Sequence, residues 1–334
     1  MGIFALALAF IALALSIWIV VPGPILPLFI LSVGGTELWP ALALLDAATL
    51  AFALRAHGRG RPLSVALSAA ALLATFAPPV AYLVRGPYIP FSAFFAPMHL
   101  NTATLKPGAP VVLAIYGGAW ERGSPQNDAV LNATIESWGY RVVALDYPHS
   151  PRFHWPAQRD AILRQIDALH APRIAILGHS SGAQLAMIAA ALRPRKIDAV
   201  ITYESPVDLR LGYEYPSKPD VINARKIMDD LCNGTPPQRP ACYRSSSPRY
   251  VVHPGMPPVL MIAGGRDHVV NLGFERLFRD ELRHDGVSVD YIELPWADHA
   301  FETVPYGFHD RIALWYVRRF LDARFKPSSS LPRP

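Results

Sequence analysis

The sequence predicts an α/β protein, with a mostly parallel sheet covered by helices on both faces, preceded by about three transmembrane helices. Three observations lead there. Strand-like and helix-like runs alternate through the last two thirds of the chain, apolar residues crowd into the first 85, and a Gly-x-Ser-x-Gly pentapeptide falls between a strand-like and a helix-like run. The 334 residues are 51% hydrophobic and 17% charged, against roughly 25% charged in an average soluble domain. The formal charge of +5 divides into +2 before residue 86 and +3 after it. The globular part therefore has no concentrated basic face, and nucleic acid is not an expected partner.

From the amino terminus, Ile3 to Val21 is uncharged and about long enough to cross a hydrocarbon core. A cleaved secretory signal would carry a basic start, a shorter apolar core and a polar continuation. Here the apolar run goes on through "SIWIVV", so a retained span is expected. Further apolar blocks run from about Trp39 to Leu54 and from Leu63 to Val84, separated by "RAHGRGRP". The intervening "VPGPILPLFILSVGG" reads as a loop, a re-entrant piece or part of a broken helix. Asp46, inside the second block, reads as a packing or register residue ahead of a transport residue. The loop bearing Arg55, Arg59 and Arg61 is expected in the cytoplasm, because basic residues accumulate on that side. With three spans, residues 1–85 form an integral membrane region and everything after Arg85 lies outside the cytoplasm; losing one span reverses the sidedness.

Residues 86–108 read as a linker, and 109–325 as one globular domain. Strand candidates are "PVVLAIYG", "RVVALDY", "RIAILGH", "AVITYES", "PPVLMIAGG" and "VSVDYIELP"; helices fall in "NDAVLNATIESWG", "PAQRDAILRQIDALH", "GAQLAMIAAALR", "LGFERLFRDELRHDG" and "FHDRIALWYVRRFLDARF". Such alternation builds a parallel sheet whose chemistry gathers beyond the carboxyl ends of the strands. Residues 207–255, rich in Pro, Gly, Ser and Tyr, interrupt the rhythm as a cap-like insertion over that end. Residues 326–334 are expected to be disordered.

In Gly178-His179-Ser180-Ser181-Gly182, glycines at both ends permit a tight strand-to-helix turn that presents a serine above a sheet. Ser180 could instead be a helix N-cap, but a cap needs neither glycine. A nucleophilic serine requires a base and a third group to orient that base. Asp267 follows the strand ending in Gly264 and Gly265, and His299 follows the last strand, giving the order Ser, Asp, His expected for this architecture. His268 and Asp298 stand beside them as decoys, while His253, His284 and His309 read as surface or packing residues. The Gly117-Gly118 turn ends the first strand, where backbone N–H groups can approach a substrate; an ordinary strand-end turn is the alternative.

These residues resemble the α/β-hydrolases, closest to the hormone-sensitive-lipase-like and related bacterial carboxylesterases, over residues 105–325. Those families carry His-Gly-Gly-x-[Trp/Phe] ahead of the nucleophile, and this chain has Tyr116-Gly117-Gly118-Ala119-Trp120. The resemblance implies an oxyanion hole from the N–H groups of Gly118, Ala119 and Ser181. Tyr116 replaces the family histidine, which raises the question of how the loop is braced. Asp146, Tyr147, Pro156, Ala157 and Asp160 also match a family stretch, with Pro148 where an arginine is usual. The implied activity is cleavage of small-molecule or lipid carboxylic esters through an acyl-enzyme, with no metal or organic cofactor. Acyl transfer, amide cleavage, or an inactive membrane-anchored interaction protein remain alternatives. Tyr116 and Trp120 are candidate substrate contacts, with Tyr213, Tyr215 and Trp296 as further aromatics for a pocket or for core packing. Cys232 and Cys242 are either a disulfide closing a surface loop or two free thiols, and an extracytoplasmic site favours the disulfide.

Overall fold

The computed structural model describes residues 2–95 and 108–326. The middle of the expected linker and the expected tail beyond Lys326 lie outside the described residues. At the amino terminus, α1 (Gly2–Ser16) continues through a 3-10 turn at Ile17–Ile19, α2 (Leu26–Glu37) and α3 (Trp39–Arg55) meet at 88°, and α4 (Arg61–Thr75) leads into α5 (Ala77–Arg85). Two lengths, Gly2–Ile19 and Arg61–Arg85, are long and apolar enough to cross a membrane; α2 and α3 add a third only if the bent pair counts as one span. With 17 residues, α3 alone reaches about 25 Å, short of a ~30 Å hydrocarbon core. The proline-rich segment before it is helical because Pro22, Pro24 and Pro27 precede or begin α2, where a missing N–H costs no helical bond.

Helices α1, α3 and α4 pack together through small side chains: Ala5, Ala9 and Ala12, then Thr49 and Ala53, then Ser64, Ser68 and Ala71. Small residues let the helix backbones approach closely. Large apolar side chains point the other way, with Phe10, Ile11, Leu44 and Leu73 exposed on the outside. Asp46 is fully buried and accepts hydrogen bonds from Ser16 Oγ at 2.8 Å and Thr75 Oγ1 at 2.5 Å. It ties all three helices in register.

The sheet consists of β1 (Val111–Ile115), β2 (Arg141–Leu145), β3 (Ile174–His179), β4 (Ala199–Tyr203), β5 (Val259–Gly264) and β6 (Val289–Leu294), all parallel in the order β2-β1-β3-β4-β5-β6. The four inner strands are buried along their whole length and read as unbroken apolar runs, as strands covered on both faces must. Edge strands β2 and β6 carry exposed positions. The chain leaves β1 toward one edge and returns to β3 on the other side of β1. That reversal opens a crevice at the carboxyl ends of β1 and β3.

Helices α6 (Ala129–Ser137), α7 (Ala157–Ala168) and α8 (Ser181–Leu192) follow β1, β2 and β3. The insertion between β4 and β5 folds as α9 (Leu209–Glu214), α10 (Ala224–Cys232) and α11 (Pro240–Ser245); α12 (Leu272–His284) and α13 (Phe308–Phe325) complete the chain. One core joins α7, α8, α10 and α12 to one face of the sheet, and a second joins α6 and α13 to the other. Cys232 and Cys242 form a disulfide with Cα atoms 5.7 Å apart. It closes the largely exposed loop 233–241, as the disulfide alternative expected; Cys242 is half-buried, while Cys232 is buried in the first core because it sits on the apolar face of α10.

The amino-terminal helices dock directly on the sheet domain. Glu37, at the end of α2, accepts from His309 Nδ1–H at 2.6 Å and from the His309 amide at 2.8 Å, capping the first turn of α13; both side chains are fully buried. Arg266 donates to the carbonyls of Ile19 and, at 3.0 Å, Val20, while Trp296 Nε1–H donates to Ile19 at 2.8 Å. Part of the expected linker is built into this seam, with Phe94 stacked on Phe308 at 5.4 Å and the Tyr88 carbonyl accepting from Tyr316 Oη–H at 2.7 Å.

Candidate active site

β3 ends at His179 and α8 begins at Ser181, so Ser180 alone makes the turn, at φ 49° and ψ −119°. A non-glycine residue at positive φ is costly, about 1–3 kcal/mol, and persists only where its surroundings dictate it. Here the Ser180 amide donates to Tyr203 O at 2.9 Å, pinning the turn to β4. The motif glycines are a steric requirement. A Cβ on Gly178 would lie 2.2 Å from Gly182 O, and one on Gly182 would lie 2.2 Å from Ile115 O. Ser180 makes no side-chain capping bond to α8; its Oγ lies 3.0 Å from His299 Nε2.

His299 Nδ1 is 2.9 Å from Asp267 Oδ2. The Asp267 side chain is fully buried and that of His299 is 9% exposed. Asp267 Oδ1 accepts from the amides of Val269 and Val270, both at 2.7 Å, which leaves Oδ2 to the imidazole. Burial alone would lower the His299 pKa, but the charge and hydrogen bond of Asp267, helped by Glu302 and Asp298, raise it above the ordinary histidine value. The flanking His268 and Asp298 are not idle. Asp298 accepts from His268 Nδ1 at 2.6 Å, from the His268 amide at 3.0 Å and from the His299 amide at 2.8 Å. It clasps the loop of Asp267 to the loop of His299.

Gly118, Ala119 and Trp120 all have positive φ, at 130°, 56° and 59°. Among the described residues, no backbone carbonyl accepts from the amides of Gly118, Ala119 or Ser181. Tyr116 lies outside the pocket, contrary to its reading as a substrate contact. It is buried beneath the loop, stacked on Tyr147 with centroids 4.5 Å apart, and donates from Oη to Asp146 Oδ1 at 2.6 Å. Its hydroxyl also lies 3.0 Å from His149 Nε2. A tyrosine clamp thus braces the loop where the related families use histidine. Trp120 does face the pocket, and is held by its Nε1–H to Gln184 Oε1 at 3.1 Å.

The pocket beside Ser180 encloses about 640 Å³ of empty space, part of it open to solvent. Its apolar walls include Leu209, Ile222, Met228, Val270 and Phe274, so the insertion roofs it as expected, and Tyr215 stands at its edge. Tyr213 packs on Tyr243 instead, and Trp296 lies under Arg266 at the seam with α1. Sequence reasoning passed over His179. It is wholly buried, 3.2 Å from Glu302 and 4.0 Å from Asp128. Burial opposes its charge, but the two carboxylates win and push its pKa up to about 9.

A parallel sheet in this order, with a serine on the β3–α8 turn, an acid past β5 and a histidine past β6, is the α/β-hydrolase fold. The BD-FAE family model matches residues 98–282, more than half of the chain, and the chain belongs to that family. It is 29% identical over 228 residues to Esterase LipQ of Mycobacterium tuberculosis, covering 59% of this chain and 52% of the relative. It is 30% identical over 216 residues to Esterase LipC of the same organism, covering 58% and 53%. The chain thus spans about half the length of the curated relatives it matches. Among solved structures, esterase B from Lactobacillus rhamnosis shares 18% identity and a TM-score of 0.55 over 66% of this chain and 79% of that one. The Pyrobaculum calidifontis esterase shares 20% identity and a TM-score of 0.55 over 64% and 76%. At those identities the likeness speaks for the fold.

Proposed function

We propose that this chain is a membrane-anchored serine hydrolase that cleaves carboxylic esters through an acyl-enzyme. The observation that carries the reading is the hydrogen-bonded line from Asp267 through His299 to Ser180, opening on an apolar cavity. His299 Nε2 takes the Ser180 proton as Oγ attacks the ester carbonyl, and Asp267 holds the Nδ1–H tautomer and balances the imidazolium. The amides of Gly118, Ala119 and Ser181 donate to the developing oxyanion. The imidazolium then protonates the departing alcohol, and water repeats the sequence to free the acid. The esterase names of the relatives support an ester in preference to an amide, and the apolar walls support an acyl chain as the group bound beside Ser180.

The amino-terminal helices support the anchor: small and polar side chains inside, large apolar ones outside, the reverse of a water-soluble bundle. With the bent α2–α3 pair as one of three crossings, the basic loop stays in the cytoplasm and the hydrolase domain stands outside it. The disulfide agrees with that oxidising side. Labelling of intact membranes with a membrane-impermeant fluorophosphonate, wild type beside Ser180→Ala, tests both parts. Labelling and release of free acid from p-nitrophenyl esters, both lost in the variant, are expected. A well-folded wild type that never labels, even in detergent, refutes the hydrolase; labelling only after lysis refutes the sidedness.

A further inference from the structure

A second carboxylate reaches the same imidazole nitrogen that Asp267 holds. Glu204 follows β4 directly, in a left-handed conformation at φ 52°, with its amide donating to Ile262 O at 2.9 Å. Its side chain is 1% exposed, and Oε2 lies 3.3 Å from His299 Nδ1. The same oxygen accepts from the amide of Ala300 at 2.5 Å, so it is fixed against the histidine loop from two directions. Oε1 is buried with no hydrogen-bond partner among the described residues. A buried acid with an orphan oxygen, on an adjacent strand, has no need to be there for packing: a leucine or methionine would fill the space without the cost of an unpaired polar atom.

We propose that Glu204 is a second acid for His299, a positioning residue that shares the Nδ1 proton with Asp267. The inference rests on the serine-hydrolase reading. Burial, with Glu302, Asp267 and Glu275 nearby, pushes the Glu204 pKa well up, which favours its protonated form. Its Oε2 accepts from the Ala300 amide and stands 3.3 Å from His299 Nδ1, close enough to take up the Nδ1–H that Asp267 now holds. When Ser180 passes its proton to Nε2, the imidazolium keeps its Nδ1 proton between two oxygens of different acids. If Asp267 loses its charge, one of the groups that suppress Glu204 ionisation goes with it, and Glu204 becomes the counter-ion. That ionisation releases the one Glu204 proton to solvent water before turnover, and no other bond is made or broken at Glu204.

The test compares kcat and KM of the full chain in detergent for wild type, Asp267→Asn, Glu204→Gln and the double variant on a short p-nitrophenyl ester. Neutralising a sole triad acid costs roughly 10⁴-fold in kcat in the serine-protease case. Here Asp267→Asn is expected to fall only about 10- to 100-fold and Glu204→Gln several-fold, while the double variant falls at least a further 100-fold below Asp267→Asn, with KM held throughout. The acidic limb of the pH profile stays near the histidine range in Asp267→Asn and moves to lower pH in the double variant. A purely structural Glu204 would lower the thermal midpoint without that interaction in kcat or that movement in pH. An Asp267→Asn enzyme that loses the full ~10⁴-fold in kcat relative to wild type overturns the proposal, and this comparison needs no Glu204 variant to fold. Ser180→Ala separates the failures: turnover surviving in it refutes the hydrolase reading, whereas turnover lost in it and unshared between the two acids refutes only Glu204.

Discussion

Asp298 touches neither Ser180 nor the pocket, yet on the proposed mechanism it has a measurable part in turnover. Replacing it by alanine removes the acceptor for three donors: the His268 imidazole and the amides of His268 and His299. His268 is 15% exposed and can turn to water, but the His299 amide is buried at the base of the catalytic loop. A buried donor left without a partner costs about 1–3 kcal/mol, so the total is expected near 2–4 kcal/mol, with most of it local. Loosening the loop displaces His299 from Ser180, and misplacement on the scale of 1 Å costs on the order of 10²-fold in rate. Asp298→Ala should therefore lower kcat roughly 10- to 100-fold with KM little changed, and slow fluorophosphonate labelling in parallel. Asp298→Asn keeps an oxygen for the two amides and is expected to stay within several-fold of wild type. Steady-state kinetics on a p-nitrophenyl ester, beside thermal unfolding of each variant, gives the answer. An alanine variant that unfolds earlier but turns over at the wild-type rate would refute the clasp.

Four further outcomes are expected. The raised His299 pKa must be crossed for the imidazole to act as a base, so activity should fall with decreasing pH at a midpoint above the ordinary value of about 6.5; a midpoint below 6 in a pH–kcat/KM profile contradicts this. Folding raises the His179 pKa to about 9 from the ordinary unfolded value, so its stabilisation is complete below about pH 6.5 and lost as pH rises through 9. The thermal midpoint of His179→Asn should therefore trail wild type more at pH 6 than at pH 9.5. The Cys232–Cys242 bridge closes a separation of 10 residues, worth about 3 kcal/mol of unfolded-chain entropy; reduction should lower the denaturant midpoint, and no change would remove the bridge from the stability account. Glu37→Ala leaves the Nδ1–H and the amide of His309 as buried donors without a partner and is expected to cost about 2–4 kcal/mol, read as a lower thermal midpoint and faster proteolysis at the seam between α2 and α13.

Local pattern carried much of the architecture. The six strand-like runs become six parallel strands because inner strands covered on both faces must be continuously apolar. The spacing of Gly178, Ser180 and Gly182 answered to a steric demand that acts within five residues, so it was visible before any fold was known. Contacts between distant segments were not visible in this way. Nothing near Glu204 in sequence hints that it meets His299, and the pairing of His268 with Asp298 depends on two loops that only the sheet brings together. Tyr116 looked like a pocket residue because its neighbours are; it stands just past the end of β1, where strand alternation no longer holds, and packs under Tyr147 on the side of Leu113 and Ile115. The 88° bend falls at Leu38, with Pro40 in the first turn of α3, and hydropathy alone does not report a bend.

The seam between the amino-terminal helices and the sheet domain has a mechanical consequence. Arg266 and Trp296 grip the turn that ends the first helix, and Glu37 grips α13; these are two separate fastenings. A single fastening would act as a pivot, whereas two remove the swivel. Because Arg266 precedes Asp267 directly and α13 lies just beyond the loop of His299, the bearing of the reaction centre relative to the apolar bundle is set once, during folding. The sheet domain is mounted on a bracket and does not swing on a leash, so the mouth of the pocket beside Ser180 keeps one bearing to the apolar helices.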